Sequence, residues 1–467
     1  MAPADEPSET FPPIDAAAEP IDSVAPGAVP GGTYRCPGET YSISRSVHLA
    51  RLAAHYPLCR NCPARDEQGL LPVSFPVAPI LENREEEILS EGGVRAVYLN
   101  VMHRTRAVEW GRAIGKALGE GAFGEEAAPV GMTSTVVIGH DERVSSPEIA
   151  AGLVKGLRQQ GMDIADLGFC RKPDLTLAMS SFQSVLAIFI TGSGYGPAWT
   201  GFDLIGPDGL AWLSIEPLRL LSEQSRTGTY AHARQLGRYS PLRHFEQDQT
   251  LQEEFHALRP LTVVCGSENE LLFQRLKRLT EHHPCRLIPL SLPAVHRDLS
   301  SHTSASLKVL EETVRQKQAH LGCYFAPDGE TLTAFDEQGT WLSMQDVTLL
   351  LAIELAQERL TAPSQQPLEI CLTTTAWAHW HTDFERWGFV TLDGGASIQT
   401  MTKALTSRKC LVGTNGSPQW WLLRKDLAVC DALRVFGTLL RSLSRSDRPC
   451  SQQLAAHKAG LPRDLSS

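Results

Sequence analysis

No stretch of this chain approaches the ~18 consecutive apolar residues of a membrane-spanning helix, so no membrane span is expected. The N-terminus lacks the apolar core of a signal peptide. Positive charge is in deficit: 43 Lys and Arg stand against 53 Asp and Glu, a net charge of −10. That balance gives no electrostatic footprint for nucleic acid. Internal repeats are absent. The cysteines lack the density and spacing of a disulfide scaffold: eleven, an odd number, are scattered over 467 residues. Such usage suits a reducing compartment, and a cytoplasmic location is expected. What remains is ordinary for a globular protein, 42% hydrophobic and 21% charged, in a chain long enough for several domains.

Composition divides the chain. Residues 1–33, rich in Ala, Pro, Glu, Asp and Gly, read as a disordered acidic tail. Residues 34–66 carry a Cys/His cluster, and 67–90 form a Pro-containing linker. Strands and helices then alternate. Thr135–Gly139 reads as a buried strand, and Ser146-Pro147-Glu148 supplies an N-cap, a first-turn Pro and a first-turn acid. Ile149, Leu153, Val154 and Leu157 give that helix one apolar face, and Gly161 ends it. Strands at 163–168 and 185–190 flank a helix at 175–182. The β-α-β-α-β order argues an α/β layer with a largely parallel sheet.

A second unit near 260 has strands at 261–265, 285–290 and 321–325 with helices at 270–282 and 305–319. A third has helices at 345–359 and 426–443 and strands at 368–372 and 389–392. The fold class is thus α/β, with three successive α/β/α domains at 91–240, 241–340 and 341–445 and a tail at 446–467.

The most informative segment is Thr191-Gly-Ser-Gly-Tyr-Gly-Pro-Ala-Trp-Thr-Gly-Phe-Asp203. Ser193 follows a buried strand and is surrounded by glycines, which is how a covalent phosphoryl carrier or nucleophile is commonly presented. No His or Lys lies near it in sequence to act as base or hold phosphate.

This frame resembles the phosphoserine loop of the α-D-phosphohexomutases, Thr-Ala-Ser-His-Asn-Pro-Pro-x-Tyr-Asn-Gly-Ile-Lys. Thr191, Ser193, Pro197 and Gly201 agree without a gap, and Trp199 and Phe202 are similar in kind. Gly194 stands for the family His, Tyr195 for the Asn and Asp203 for the Lys, which reverses the local charge. Arg95, in Gly93-Val-Arg-Ala96, matches the Arg of a Gly-Ile-Arg-Gly entry motif. Asp141 and Arg143 match the family Gly-Arg-Asp-x-Arg. Leu321 to Gly339 resembles the family strand, metal loop and hairpin. Four ordered matches carry more than any one of them.

The resemblance implies a loop Asp-Gly-Asp-x-Asp-Arg that holds one Mg²⁺ through three carboxylates. In Ala326-Pro-Asp-Gly-Glu-Thr331, Asp328 matches the second ligand, Glu330 stands in for the third, and Ala326 and Thr331 replace the first ligand and the Arg. Two outcomes stay open, a weak Mg²⁺ site at Asp328 and Glu330 or a plain Pro-Asp-Gly turn. The family sugar loop, Gly-Glu-x-Ser-Gly-His, corresponds to Gly413-Thr-Asn-Gly-Ser-Pro418. Thr414, Asn415 and Ser417 are candidates for bonding sugar hydroxyls, with Trp420 to stack on a sugar face; the alternative is a turn with buried aromatics. Asp431 matches a family Asp at a helix start, where a structural role suffices. The family's fourth domain, with its Arg-x-Ser-Gly-Thr-Glu-Pro phosphate clamp, finds no counterpart in 442–467.

Cys36 and the pair Cys59-x-x-Cys62 bracket His48 and His55. Cys-x₂-Cys is a common zinc knuckle, and Cys36 with either His would complete a Cys₃His set for Zn²⁺. A metal could stabilise so small a unit. An iron–sulfur cluster and a plain amphipathic helix over 43–55 with free thiols are the alternatives. The expected function is that of the family, intramolecular phosphotransfer on hexose phosphates, with activity weak or lost because the loops are degenerate. The alternative is a non-catalytic sugar-phosphate-binding protein or scaffold that docks a protein partner through the Cys/His module.

Overall fold

Short β-branched runs and amphipathic segments alternate along most of the chain, and they sort into three sheets covered by helices. The computed structural model describes residues 34–53, 56–64, 87–121, 133–196, 198–242, 251–268, 270–292, 305–361, 368–424 and 427–459. The expected tail at 1–33, most of the linker, His55 and Pro197 lie outside the described residues. The chain divides into two compact units, residues 1–81 and 82–467.

In the first unit, Tyr34 bridges Ile43 across a turn in which Gly38 takes φ +79°, a left-handed conformation that favours glycine. Helix α1 (Arg45–Ala53) and a short 3₁₀ turn (Pro57–Asn61) follow. Leu52 and Cys59 are its buried centre, with Leu49 and Tyr56 packed against them.

The second unit opens with a seven-stranded sheet. Its strands are β1 (Ile88–Ser90), β2 (Gly93–Val97), β3 (Thr133–His140), β4 (Asp163–Phe169), β5 (Ser184–Ile190), β6 (Trp199–Ile205) and β7 (Tyr239–Pro241). The order is β1-β2-β6-β5-β3-β4-β7. β5, β3, β4 and β7 run parallel, while β6 is antiparallel to both β5 and β2. Val136 and Ile138 enter one core with Trp110, Ile149 and Leu153, whereas Val137 faces the other with Leu175 and Met179. That period-2 division is why these strands read as near-continuous apolar runs. Helix α2 (Arg104–Gly119) packs against α3 (Ser146–Gln159). Their approach depends on Gly156, where a Cβ would lie 2.3 Å from the Val108 carbonyl oxygen. Helices α4 (Lys172–Phe182) and α5 (Ile215–Thr227) complete this part.

The second sheet, β11-β10-β8-β9, comprises β8 (Thr262–Ser267), β9 (Arg286–Ser291), β10 (Leu321–Phe325) and β11 (Leu332–Phe335), with helices α6 (Glu270–Thr280) and α7 (Ala305–Gln316). The third, β13-β12-β14-β15-β16, comprises β12 (Glu369–Leu372), β13 (Val390–Asp393), β14 (Val412–Thr414), β15 (Trp420–Arg424) and β16 (Leu427–Cys430). Helices α8 (Met344–Thr361), α9 (Thr374–Arg386), α10 (Ile398–Arg408), α11 (Ala432–Ser444) and α12 (Cys450–Ala459) accompany it. One buried cluster runs through both sheets, joining Val263 and Phe325 to Ile370, Trp420 and Phe436.

Three sequence expectations are corrected. The helix expected over 426–443 begins only at Ala432, because 427–430 pairs antiparallel with β15 and Asp431 caps the helix by accepting from the Leu433 amide at 2.9 Å. The expected tail at 446–467 contains α12, which buries Cys450 and Leu454. Ser145, not Ser146, is the N-cap of α3; the Ser146 hydroxyl donates to Asp141 at 2.5 Å instead.

Candidate functional site

Open α/β sheets gather functional residues outside the carboxyl ends of their strands. In the second unit those ends are Asp141 after β3, Arg171 and Lys172 after β4, the loop after β5, Glu268 after β8 and the 326–331 turn after β10.

Ser193 sits in a tight loop. Tyr195 donates its amide to the Gly192 carbonyl at 3.1 Å, and Trp199 donates to Gly196 at 3.0 Å. Gly194 has φ +83°, and Tyr195 stacks on Trp199 with centroids 4.7 Å apart. The Ser193 amide donates to the Thr191 hydroxyl at 2.9 Å. No side chain among the described residues hydrogen-bonds the Ser193 hydroxyl, which is half-buried.

The three charged residues expected beside it are all brought there. Arg143 donates to the carbonyls of Gly196 at 2.8 Å, Tyr195 at 3.1 Å and Trp199 at 3.2 Å. Asp141 accepts from the Arg143 amide at 3.1 Å and, at 3.4 Å, from the Gly192 amide. Arg95 donates to the Ser193 carbonyl at 3.3 Å and the Phe202 carbonyl at 3.1 Å, and pairs with Asp203 at 2.7 Å. Both guanidinium groups therefore hold loop backbone. Burial alone would push the Asp203 carboxyl up, but Arg95 and Lys172 hold it below the usual range.

Two functional candidates escaped the sequence analysis. Lys172 reaches the 326–331 turn and pairs with Glu330 at 3.1 Å. Burial disfavours its charge, and the carboxylates of Glu330, Asp203 and Asp328 outweigh that and hold it protonated. Glu330 is pushed up to about 7, chiefly by burial, against the pull of Lys172. Glu268 lies within the electrostatic reach of Arg143 and Asp141; burial is the main cause that pushes its carboxyl above the usual range, against the pull of Arg143. Their positions at strand carboxyl ends were the available signal.

The expected weak Mg²⁺ pair does not fit a metal. Asp328 accepts from the amides of Glu330 at 2.8 Å and Thr331 at 2.9 Å through one oxygen, and from the Thr331 hydroxyl at 2.7 Å through the other. Ala326 has no side-chain ligand atom and its carbonyl accepts the Gly329 amide at 3.2 Å, and Glu330 is paired with an ammonium. Mg²⁺ demands several free oxygens in near-octahedral array. The Pro-Asp-Gly turn is the arrangement found.

Arg171 locks the three sheets behind this turn. It pairs with Asp174 at 2.7 Å and Asp431 at 2.6 Å, and Asp174 also accepts from Arg275 at 2.7 Å. Gly329, with φ +75°, leaves room for the Arg171 stem, and its carbonyl accepts the Ala432 amide at 3.0 Å.

In the 413–418 loop, Gly413 is packed under Leu405, where a Cβ would sit at 2.4 Å. Thr414 is buried, its hydroxyl donating to the Gln419 carbonyl at 3.0 Å. Asn415 accepts from the Ser417 amide at 3.0 Å and hydroxyl at 2.5 Å, a self-contained Asx turn. Trp420 is fully buried and donates to Thr348 at 2.9 Å, so it is core and offers no face to a sugar.

In the first unit Cys36, Cys59, Cys62 and His48 are all buried. Arg51 donates to the Cys36 sulfur at 3.0 Å and pairs with Glu39 at 2.8 Å, and His48 stacks on Tyr34 with centroids 4.2 Å apart. Burial, then the neighbouring Cys36 and Cys62, pushes the Cys59 thiol up to about 11. Among the described residues no three His, Cys, Asp or Glu side chains are placed to hold a metal ion. No described helix is long and apolar enough to cross a membrane.

Comparison with known proteins gives concordant findings. The family described as phosphoglucomutase/phosphomannomutase, alpha/beta/alpha domain I, matches residues 86–216. A phosphomannomutase/phosphoglucomutase of Pseudomonas aeruginosa is 27% identical over 228 residues, covering 46% of this chain and 47% of that protein. A probable phosphoglucosamine mutase of Methanothermobacter thermautotrophicus is 26% identical, covering 50% and 54%. The chain thus spans about half the length of the curated relatives it matches. Among solved structures, a phosphoglucomutase/phosphomannomutase family protein from Burkholderia thailandensis aligns with TM-score 0.64 at 20% identity over 78% of each chain. A putative phosphomannomutase from Thermus thermophilus aligns with TM-score 0.59 at 17% identity, covering 80% of this chain and 83% of that one. At these identities the structural likeness speaks for the fold.

Proposed function

Because the chain belongs to the α-D-phosphohexomutase superfamily, we propose that its cleft binds a hexose phosphate and that phosphoryl transfer through Ser193 is weak or lost. Transfer onto Ser193 would form an Oγ–P bond, break a P–O bond to the sugar, and move the hydroxyl proton to a base while the sugar oxygen gains one. The observation that carries the proposal is the state of the charged groups around that hydroxyl. Arg95 pairs with Asp203, Arg143 holds carbonyls, and no described base touches Ser193. A positioned acid–base group contributes about 10²–10⁴-fold, so its loss attenuates turnover severely.

The substrate-facing groups we assign are Asn415 and Ser417, which are half-buried at the loop rim. Gly413 and Thr414 shape that loop from below. Calorimetric titration with glucose 1-phosphate, run beside an assay for glucose 6-phosphate, tests the proposal. Binding without measurable conversion is expected; conversion at the rate of an ordinary mutase would refute it.

A second reading rests on the separate first unit, residues 1–81. We propose that it docks a protein partner and that Cys36, Cys59 and Cys62, with His48 or His55, close on Zn²⁺. The burial of all three thiols and of His48 in so small a unit supports this. The free state of all eleven cysteines is consistent with work in the cytoplasm. Native mass spectrometry of the full chain reads the zinc directly; a metal-free mass from metal-preserving purification and after zinc addition contradicts it.

A further inference from the structure

The family implies a divalent cation in the turn after β10, and the residues there do not accommodate one. Both Asp328 oxygens are occupied by the turn's own amides and by Thr331. The first ligand position is Ala326. The carboxylate at the third, Glu330, instead meets an ammonium delivered from a different sheet, Lys172 Nζ at 3.1 Å. Lys172 is the first residue of α4, and Pro173 after it fixes the backbone that aims the side chain across the cleft. Arg171 anchors the same strand end to Asp431, so the lysine stem starts from a fixed point.

We propose that Lys172 is the resident cation of this cleft, taking the charge position of a divalent ion among Asp203, Asp328 and Glu330 and offering its remaining donors to a phosphoryl group. An ammonium carries three N–H donors, and one is directed at Glu330. Its side chain stays 24% exposed, so the other two remain within reach of a ligand. Five charges then meet here, Lys172 and Arg95 against Asp203, Asp328 and Glu330, and near-balance leaves little field to recruit a second cation. Only the phosphoryl-ligand part rests on the function proposed above; the cation assignment stands on the geometry of the turn.

The test uses the full chain and Mn²⁺ alone, followed by the loss of the free-ion paramagnetic resonance signal. Wild-type protein is expected to take up no Mn²⁺ at this site at millimolar metal. Lys172→Met frees Glu330 of its ammonium, with Arg95 still paired to Asp203, and is expected to gain one equivalent. Glu330→Gln in that background, which removes the carboxylate freed by the loss of Lys172 and leaves the Asp328 turn intact, should abolish the gain. Lys172→Ser, with room for water beside Glu330, replaces the methionine variant if that variant does not fold. One equivalent of Mn²⁺ on wild-type protein, lost in Asp328→Asn, overturns the proposal. A Lys172 variant that folds and stays metal-free overturns it too, since the carboxylates would then form no cation position. A parallel titration with glucose 1-phosphate separates the two claims. Equal affinity in EDTA and in Mg²⁺ is expected, and at least tenfold tightening by Mg²⁺ contradicts the proposal. Absence of any glucose 1-phosphate binding, with the Mn²⁺ results as expected, removes the function reading and the phosphoryl part while the cation assignment stands.

Discussion

The loop at 191–198 is held from outside, by Arg95 and Arg143 donating to its carbonyls, whereas the turn at 326–331 is held from within, by its own Asp328. In the first, the backbone frame persists and the hydroxyl is left without a described partner. In the second, the side chain that could serve a ligand is consumed in closing the turn. On the function proposed above, a loop can lose chemistry in two ways while keeping its place: by removal of the partners around an intact group, or by turning the group inward. The first way is reversible by adding a base or freeing a guanidinium. The second requires remaking the turn.

The two loops also differ in what lies behind them, and breaking that support should give the largest effect. Arg171→Ala leaves the buried Asp431 without its ion-pair partner and Asp174 with Arg275 alone. Loss of one partner of a buried pair costs about 3–5 kcal/mol, read as the shift of the first denaturant-unfolding transition. The same brace sets an acid limit. Burial raises the Asp174 carboxyl, but Arg171 and Arg275 together hold it below its ordinary 3.8 in the folded chain. Its contribution is therefore complete above pH 3.8 and is lost as pH falls through the lower folded value. Removing one of the two guanidinium groups with Arg275→Ala should move the midpoint of acid unfolding to higher pH.

Smaller effects separate the loops themselves. Asp328→Ala leaves two amides and a hydroxyl of the turn without their acceptor and should cost about 1–3 kcal/mol in the same measurement. Ser193→Ala removes only a hydroxyl with no described partner and should stay within about 0.5 kcal/mol of wild type. Equal costs at the two positions would erase the distinction drawn between them.

Much of the frame was legible in the residues. Strand β10 falls on the expected 321–325, and Gly161, with φ +84°, follows the end of α3 where the sequence placed a stop. Local pattern sufficed there because period and punctuation coincide. It failed at 427–430, where Leu-Ala-Val-Cys continues smoothly into an apolar helix and only pairing with β15 makes it a strand. Helices α2, α5, α9, α10 and α12 went unassigned, the first being rich in Arg and Gly along its length. Ser193, Arg95, Asp141 and Arg143, each legible in a contiguous motif, are brought to one loop. Lys172 was missed because its place after a strand end was the one local signal, while its partner Glu330 is 158 positions away. Trp420 stayed open because a turn followed by two tryptophans reads equally as platform or core, and its burial with the contact to Thr348 decides for core.

The central claim is that Ser193 keeps the carrier's place without the carrier's chemistry. Phosphopeptide mapping after incubation with excess glucose 1,6-bisphosphate measures it most directly. The account predicts far less than one phosphate per chain on the Ser193 peptide, and none on the Ser193→Ala protein. Stoichiometric phosphate on Ser193 would contradict it, because it would mean that the loop as it stands still accepts the phosphoryl group.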